Sequence, residues 1–213
     1  MAFYLTGSVT GVRPLLDARR LGYMNTPANR HSMRQWIWAA DNGCYGKNYV
    51  GDNRWFAWLD SFPPEVRDLC LFATAPDVVG DAQATLARSV PWFNRIRALG
   101  YRAALVGQDG LTQDQCPWDE FDALFIGGST AWKLGSAAAG LMAMANEKGK
   151  WVHVGRVNSW RRYVGMAQRG ADSVDGTYIA FGPDVNAPKL MSWVDRLAQQ
   201  PMMFEEELDG EQG

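Results

Sequence analysis

The chain has 213 residues, of which 47% are hydrophobic and 21% are charged. This composition provides enough apolar surface for one substantial core and excludes an intrinsically disordered protein. The formal net charge of −2 gives no overall attraction to nucleic acid, although a local basic surface could still bind phosphates. We therefore expect a single domain over residues 1–204 and a flexible acidic tail at 205–213.

Membrane and metal partners are not expected. No apolar run approaches the roughly 20 residues that span a bilayer, and the first residues lack the pattern of a signal peptide, which favours a cytoplasmic protein. Cys44, Cys70 and Cys116 are widely spaced, and only His31 and His153 could join them. A closed zinc site needs four ligands that are usually paired locally, so we expect unpaired thiols and no metal.

Runs of β-branched and aromatic residues, bounded by glycine, proline or aspartate, mark the strands. The predicted strands lie near residues 3–8, 35–40, 69–74, 102–106, 122–126, 151–155 and 172–176. Helices are predicted between most of them, at residues 53–62, 81–99, 130–148, 158–169 and 185–199. The predicted N-terminal caps of the first four helices are Asp52, Asp81, Thr130 and Asn158.

This alternation predicts an α/β fold with a parallel sheet. Seven or eight strand–helix units favour a closed, compact (β/α)8 TIM-like barrel, with an open doubly wound sheet as the alternative. Because 213 residues is near the lower size limit of the barrel, we expect some helices to be missing. The expected positions are between residues 9 and 34 and between residues 107 and 121.

Polar or glycine-rich turns follow five of the predicted strands. They are Asp41-Asn42-Gly43, Asp77-Val-Val-Gly80-Asp81, Gly107-Gln108-Asp109-Gly110, Gly127-Gly128-Ser129 and Asp172-Ser-Val-Asp175-Gly176. The carboxyl ends of barrel strands meet on one face, so these turns form the candidate active site. Clustered carboxylates suit metal binding, cleavage of a glycosidic bond or recognition of a base edge. The competing interpretation is a helix cap or Asx turn, which we favour for Asp81 and Asp109.

In this order the turns resemble those of the tRNA-guanine transglycosylases and their relatives that insert 7-deazaguanines into DNA. That family carries, on a barrel, an Asp-Ser-Gly turn, a base-recognising aspartate, a Gln-Gly-Gly turn, an Ile-Gly-Gly turn and a late nucleophilic aspartate. The similar segments here are Asp41-Asn42-Gly43, Asp77, Gln108-Asp109-Gly110, Ile126-Gly127-Gly128 and Asp172-Ser-Val-Asp175. The resemblance covers roughly residues 35–177.

The resemblance implies a role for each matching residue and implies no cofactor. Asp175 would attack the anomeric carbon and form a covalent glycosyl-enzyme intermediate, and Asp41 would be the general acid and base. Asp172 and Asp175 point to opposite faces of a strand, so only one of them can enter the barrel mouth. The substrate-binding candidates are Asn42, Asp77, Gln108, Gly127, Gly128 and Asp172.

The substrate implied by the resemblance is DNA. The tRNA enzymes carry a cysteine-rich zinc site after the nucleophile, whereas residues 176–213 contain no cysteine or histidine. The chain is therefore most similar to the short, zinc-less DNA enzymes associated with phages. We expect exchange of guanine in DNA for a 7-deazaguanine such as 7-cyano-7-deazaguanine, with tRNA as the alternative polymer.

A polymer substrate must be held by its phosphates, and the target base must be extruded from the duplex. The segment 155–162 follows a strand, opens a predicted helix and carries three arginines. The predicted nucleic-acid contacts are Arg156, Asn158, Arg161, Arg162 and Lys133, with Trp132 and Trp160 as stacking candidates. Most of the ten tryptophans are expected in the core, and His153 is interpreted as a structural histidine.

Two other classes of function stay open. One is a barrel hydrolase or glycosylase that acts on nucleic acid or a nucleotide. Metal-dependent activity would support the form of this hypothesis in which the carboxylates bind a metal. The other is a catalytically silent nucleic-acid-binding protein, which would tolerate Asp175→Asn.

Overall fold

The fold is a closed barrel of eight parallel strands. The computed structural model describes residues 2–29 and 35–199. In chain order the strands are β1 (Phe3–Thr6), β2 (Gly22–Asn25), β3 (Trp38–Ala40), β4 (Cys70–Thr74), β5 (Ala103–Gly107), β6 (Ala123–Ile126), β7 (Trp151–Val154) and β8 (Ser173–Gly176). Each strand pairs with the next, and β8 pairs with β1. The predicted (β/α)8 TIM-like barrel is confirmed, and the open sheet is excluded.

Helices surround the barrel. They are α1 (Arg13–Asp17), α2 (Asp52–Asp60), α3 (Pro64–Arg67), α4 (Ala82–Ala98), α5 (Thr130–Leu134), α6 (Ser136–Glu147), α7 (Trp160–Gln168) and α8 (Pro183–Gln199). Single 3-10 turns lie at Gln113–Gln115 and Ile179–Phe181. Between β5 and β6 the first of these turns replaces a helix, which confirms the expected reduction at residues 107–121. No helix in the described ranges is long and apolar enough to cross a membrane.

Several elements differ from the sequence prediction, which did not include the short helices α1 and α3. Residues 9–34, where we expected a helix to be missing and predicted no strand, contain the short helix α1 and strand β2. The run Gly22–Asn25 lacks β-branched residues and so does not match the strand pattern. The helix predicted over 130–148 is divided into α5 and α6. Gly135 causes the division because its backbone is extended, with ψ of 175°, between the two helices.

The helix caps follow the prediction in one case and differ in three. Asp81 caps α4 as predicted, since its side chain accepts the Ala84 N–H at 2.9 Å. For α2 and α5 the N-cap residue is one position before the predicted one, and for α7 it is one position after it. These caps are Gly51, Ser129 and Ser159.

Apolar residues fill both sides of the strand layer. Between strands and helices, Trp36, Trp38 and Trp55 are fully buried, as expected for core tryptophans. Inside the barrel, the small side chains of Ala39, Ala104 and Ala123 leave room for larger groups. Phe72 and Phe125 use part of this room. The candidate site therefore rests on a packed apolar floor.

Candidate active site

A cavity of about 400 Å³ opens at the carboxyl ends of the strands. Val106 and Phe125 form its apolar floor, while Tyr45 and Val79 stand at its rim, 71% and 49% exposed. The polar lining comes from the strand ends, namely Asp41, Asn42, Asp77, Gln108, Asp109, Gly127, Gly128, Ser129, Arg156 and Asp175. The structure thus brings together most of the residues that the sequence singled out.

Asp175 points from β8 into the barrel mouth. Its Oδ2 lies 3.1 Å from His153 Nε2, and its Oδ1 accepts the backbone N–H of Arg156 at 3.0 Å. Burial raises the pKa of this carboxyl, but the contacts with His153 and Arg156 and the charge of Lys133 outweigh burial and hold the pKa below its ordinary value. Asp175 is therefore an oriented anion, with 18% of its side chain exposed.

Asp41, the residue after β3, has the opposite protonation preference. Burial raises the pKa of Asp41 to about 7. The hydrogen bond that its Oδ1 accepts from the Gly43 N–H at 3.1 Å acts to lower the pKa but does not outweigh burial. The negative charges of Asp175 and Asp77 add to the rise. At neutral pH a large fraction of Asp41 carries a proton, so it can serve as an acid beside the anionic Asp175.

Asp77 is almost fully buried and is held by two amides. Asn42 Nδ2 donates to its Oδ1 at 2.9 Å, and Gln108 Nε2 donates to its Oδ2 at 2.6 Å. Burial raises the pKa of Asp77 in spite of these hydrogen bonds. Gln108 Oε1 also accepts the backbone N–H groups of Gly80 and Gly128, at 3.0 and 3.2 Å. Gln108 therefore supports Asp77, whose oxygens can each accept a further hydrogen bond from a ligand.

The glycines after β6 form a flat wall of the cavity. A Cβ on Gly127 would come within 2.9 Å of Val106 Cγ1, and a Cβ on Gly128 would overlap the indole ring of Trp132. Gly128 also has φ of +42°, which side chains rarely adopt. Packing within the protein thus requires both glycines. Trp132 supports the loop from beneath and is not among the residues that line the cavity.

Arg156 links three sides of the mouth. Its φ of +60° lies in the left-handed region, which is uncommon for arginine. This backbone directs its N–H to Asp175, while its guanidinium donates to the carbonyls of Gly127, at 3.1 Å, and of Gly128. The guanidinium carbon lies 5.2 Å from the centre of the Tyr45 ring. Arg156 therefore connects the turns after β3, β6 and β7.

The remaining predicted cations lie in different environments. Lys133 is buried, its ammonium donates to the Gly155 carbonyl, and burial lowers its pKa to about 8. This places Lys133 beneath the turn after β7, and not at a surface where it would meet a phosphate. Arg162 lies with Lys133 and Arg156 around a small cleft, and Arg161 is exposed on α7.

Asn158 and Trp160 do not line the cavity. Asn158 joins the turns after β7 and β8, because its Oδ1 accepts the Tyr178 N–H at 3.1 Å and its Nδ2 donates to Thr177 Oγ1 at 3.3 Å. Trp160 is half-buried at the start of α7, with the guanidinium of Arg196 over its ring at 4.4 Å. The structure therefore places neither residue where an extruded base would stack.

Asp172 lies at the other end of the barrel from Asp175, which corrects its expected place in the substrate site. Strand β8 begins at Ser173, so Asp172 precedes the strand by one residue. Three residues of extended chain separate the two aspartates by about 10 Å. Asp172 Oδ2 accepts the Val152 N–H at 2.8 Å, and the residue lines a different cavity together with Trp151.

His153 and Tyr45 are site residues that the sequence analysis missed. The sequence predicts a structural histidine at position 153, and His153 is fully buried, but its Nε2 also contacts Asp175. A usable signal is that His153 and Asp175 face the barrel interior from neighbouring strands. Tyr45 gave no signal beyond its closeness in sequence to Asp41.

The part of the chain that the structure describes holds no group of three or more histidine, cysteine, aspartate or glutamate residues arranged to bind a metal. Cys44, Cys70 and Cys116 are unpaired, as their spacing predicts.

The fold and the cavity define a (β/α)8-barrel protein with a carboxylate-lined site at the carboxyl ends of its strands. No protein-family model matches the sequence, and no curated protein is similar enough to match it. Among solved structures, the chain is similar to a mutant tryptophan synthase alpha-subunit from the hyperthermophile Pyrococcus furiosus. The TM-score is 0.58 at 13% sequence identity, over 93% of this chain and 97% of that chain. Similarity at this identity shows the barrel fold alone.

Proposed function

We propose that the protein is a nucleobase transglycosylase that exchanges guanine in DNA for a 7-deazaguanine through a covalent intermediate on Asp175. The observation that carries this proposal is a pair of carboxyls with opposite protonation preferences in one cavity. The pKa of Asp175 is held below its ordinary value by its contact with His153 despite burial, and burial raises that of Asp41 to about 7. Cleavage of an N-glycosidic bond requires an anion at the sugar and an acid at the base. The sequence resemblance assigns the same roles to these two residues.

In the first half-reaction a carboxylate oxygen of Asp175 attacks C1′ of the deoxyribose. The bond from C1′ to the base nitrogen breaks, its electron pair stays on guanine, and Asp41 gives guanine a proton. In the second half-reaction, Asp41 takes a proton from the incoming base. The ring nitrogen of that base attacks C1′, the bond between C1′ and Asp175 breaks, and the carboxylate is regenerated.

The cavity suits a purine whose polar edge donates hydrogen bonds. The volume of about 400 Å³ accommodates a purine, and Val106 and Phe125 offer apolar surface to a planar ring. The oxygens of Asp77 face N–H groups well, and guanine and 7-deazaguanines share the ring N–H and exocyclic amine on one edge. Adenine presents an acceptor nitrogen at the ring position where guanine carries its N–H, so Asp77 favours guanine.

The polymer follows from the sequence resemblance, which favours DNA over tRNA. Arg156 at the mouth and Arg161 and Arg162 on α7 are the proposed phosphate contacts. A duplex must release its base before the base enters the cavity, so extrusion is part of the proposal.

The test supplies radiolabelled guanine, and separately labelled 7-cyano-7-deazaguanine, with duplex DNA, single-stranded DNA and tRNA in the presence of EDTA. We expect label to enter DNA, and rapid denaturation to trap a DNA adduct on the peptide that contains Asp175. Label in tRNA alone would mean that the substrate is tRNA and not DNA, while base exchange as the reaction would stand. Release of guanine without incorporation would replace exchange by glycosylase activity. Binding without release or incorporation would leave a silent nucleic-acid-binding protein.

A further inference from the structure

A chain of hydrogen bonds runs through the barrel interior to Asp175. Trp151 and His153 face inward from β7, and Ser173 and Asp175 face inward from β8. Trp151 Nε1 lies 2.8 Å from Ser173 Oγ, which lies 2.8 Å from His153 Nδ1. His153 Nε2 completes the chain at 3.1 Å from Asp175 Oδ2. The two strands pair so that His153 is opposite Ser173, which sets this contact.

The chemistry of the two ends fixes the direction of the hydrogen bonds. An indole N–H can only donate, so Ser173 Oγ accepts from Trp151. An ionised carboxylate can only accept, so His153 Nε2 carries a proton toward Asp175. In a neutral imidazole the other nitrogen is then an acceptor, and the Ser173 hydroxyl donates to it. All of these polar groups are satisfied in this single arrangement.

The surroundings of His153 oppose a positive charge on its ring. The imidazole is fully buried, and the rings of Phe72 and Phe125 lie 4.9 and 4.5 Å from it. Burial lowers the pKa of His153 although Asp175 acts to raise it, and the nearby charge of Lys133 lowers it further. A neutral ring with its proton on Nε2 is therefore the form that the barrel interior favours.

We propose that His153 is a positioning residue for Asp175, and that Ser173 holds it in the neutral tautomer with the proton on Nε2. Through this N–H the histidine fixes the plane of the carboxylate and stabilises its anionic form without placing another cation at the sugar. A carboxylate that keeps its net charge stabilises the positive charge that develops on the sugar in the transition state. The catalytic part of this proposal rests on the proposed function, whereas the tautomer does not.

Other charged and titratable groups also face Asp175, so the test must separate their effects from that of His153. They are Lys133 from α5, Arg156 after β7, Asp41 after β3 and Tyr4 on β1. Each of them is left unchanged in the variants below.

The first measurement is the tautomer itself, by NMR of protein labelled with ¹⁵N in its histidines. The chain has only two histidines, so the variant His31→Gln leaves the signal of His153 alone. We expect a neutral ring with its proton on Nε2 at and below neutral pH, and a loss of that single tautomer in Ser173→Ala. A ring protonated on Nδ1, or one that titrates as an ordinary exposed histidine, would overturn the proposal whether or not the protein exchanges bases.

The second measurement compares His153→Phe with His153→Gln. Phenylalanine fills the space between the two phenyl rings but lacks an N–H, so we expect turnover to fall about 10-fold and its acid limb to move to higher pH. Glutamine retains a donor, so we expect it to restore part of the rate and the position of the limb. Equal pH profiles for the two folded variants would make His153 a packing residue and sink the positioning role. If the wild-type protein exchanges no base, ¹³C NMR of the Asp175 carboxyl in the same variants gives this comparison.

Discussion

The two ends of the barrel invite comparison, because each carries a cavity lined by carboxylates. The cavity at the amino ends of the strands measures about 590 Å³ and includes Asp122 and Asp172. The cavity at the carboxyl ends measures about 400 Å³ and includes Asp41, Asp77 and Asp175. By volume alone the amino-end cavity would be the better candidate site, so the chemistry of the carboxylates must distinguish the two cavities.

At the amino end the carboxylates serve the structure. Asp122 accepts two hydrogen bonds from Arg97, at 2.7 and 2.9 Å, and one from the Ala103 N–H at 2.9 Å. Burial would raise the pKa of Asp122, but these contacts lower it. At the carboxyl end, Asp41 and Asp175 have pKa values that burial and hydrogen bonds move in opposite directions. Such divergence of pKa values, more than the volume of a cavity, is typical of sites equipped for proton transfer.

The largest expected effect comes from replacing Asp175 on β8 by asparagine. The matched control replaces Asp172, the residue before β8. Asp175→Asn removes the proposed nucleophile, and we expect base exchange to fall on the order of 10⁴-fold, measured by incorporation of labelled base. Asp172→Asn changes the same group at the opposite end. We expect it to keep activity, because asparagine can still accept the Val152 N–H. Equal losses in the two variants would show that the ends do not differ in function.

A smaller loss is expected for Asp41→Asn. Without its acid the release of guanine should slow by about 10²- to 10³-fold, measured in single-turnover reactions. In the wild-type protein the burial of Asp41, which raises its pKa to about 7, should make guanine release fall as the pH rises through this value. The variant should lose that dependence. A wild-type rate that stays constant across neutral pH would contradict the acid role.

Tyr45 offers a test of the rim of the carboxyl-end cavity. Tyr45→Ala removes a ring that stands over the cavity, and we expect the affinity for free 7-deazaguanine to fall about 10-fold by calorimetry. Phe181→Ala is the matched control, because Phe181 is 81% exposed and does not line the cavity. An equal effect of both substitutions would indicate a general surface effect.

The smallest effect concerns stability and has opposite signs at the two ends. Burial raises the pKa of Asp41 to about 7 in the folded protein, so its contribution to stability is present at acidic pH and is lost as the pH rises through that value. The stability of Asp41→Asn relative to wild type, measured by urea unfolding, should therefore rise from about pH 4 to about pH 7 and stay constant above that.

Asp122 gives the opposite expectation. Burial acts to raise its pKa, but the contacts with Arg97 lower it, so its contribution is present above the ordinary value of the carboxyl and lost as the pH falls. Asp122→Asn should be less stable than wild type near neutral pH, with a gap that narrows in acid. The same sign in both variants would refute the distinction between the ends.

The sequence predicted the barrel and the carboxylates at its mouth because both depend on local patterns. Asp41 and Asp77 follow strands and Asp175 lies near the end of β8, and the fold brings these strand ends together whatever their separation in sequence. One error concerns Asp172. The sequence places Asp172 in the site through its closeness to Asp175 in the matching segment, but β8 begins at Ser173, so the two aspartates lie at opposite ends of this short strand.

The missed contact of His153 has a different cause. It depends on the register that sets His153 opposite Ser173, and pairing register between parallel strands is a property of the whole barrel. Similarly, the amides of Asn42 and Gln108 were expected to meet the base, but both donate to Asp77. Local sequence identifies such groups without revealing which partner they choose.

The closure of the barrel has a consequence for how the protein is made. Asp175 lies on the last strand, β8, which pairs with the first strand, β1, so that Leu5 is opposite Asp175. Since six other strands separate β1 from β8 along the chain, their pairing is a contact of long sequence separation and forms only after β8 has been synthesised. The strand that closes the barrel is therefore also the strand that carries Asp175, the proposed nucleophile. A chain that stops before residue 173 carries Asp41 and Asp77 but lacks Asp175, so under the proposed function it has no nucleophile.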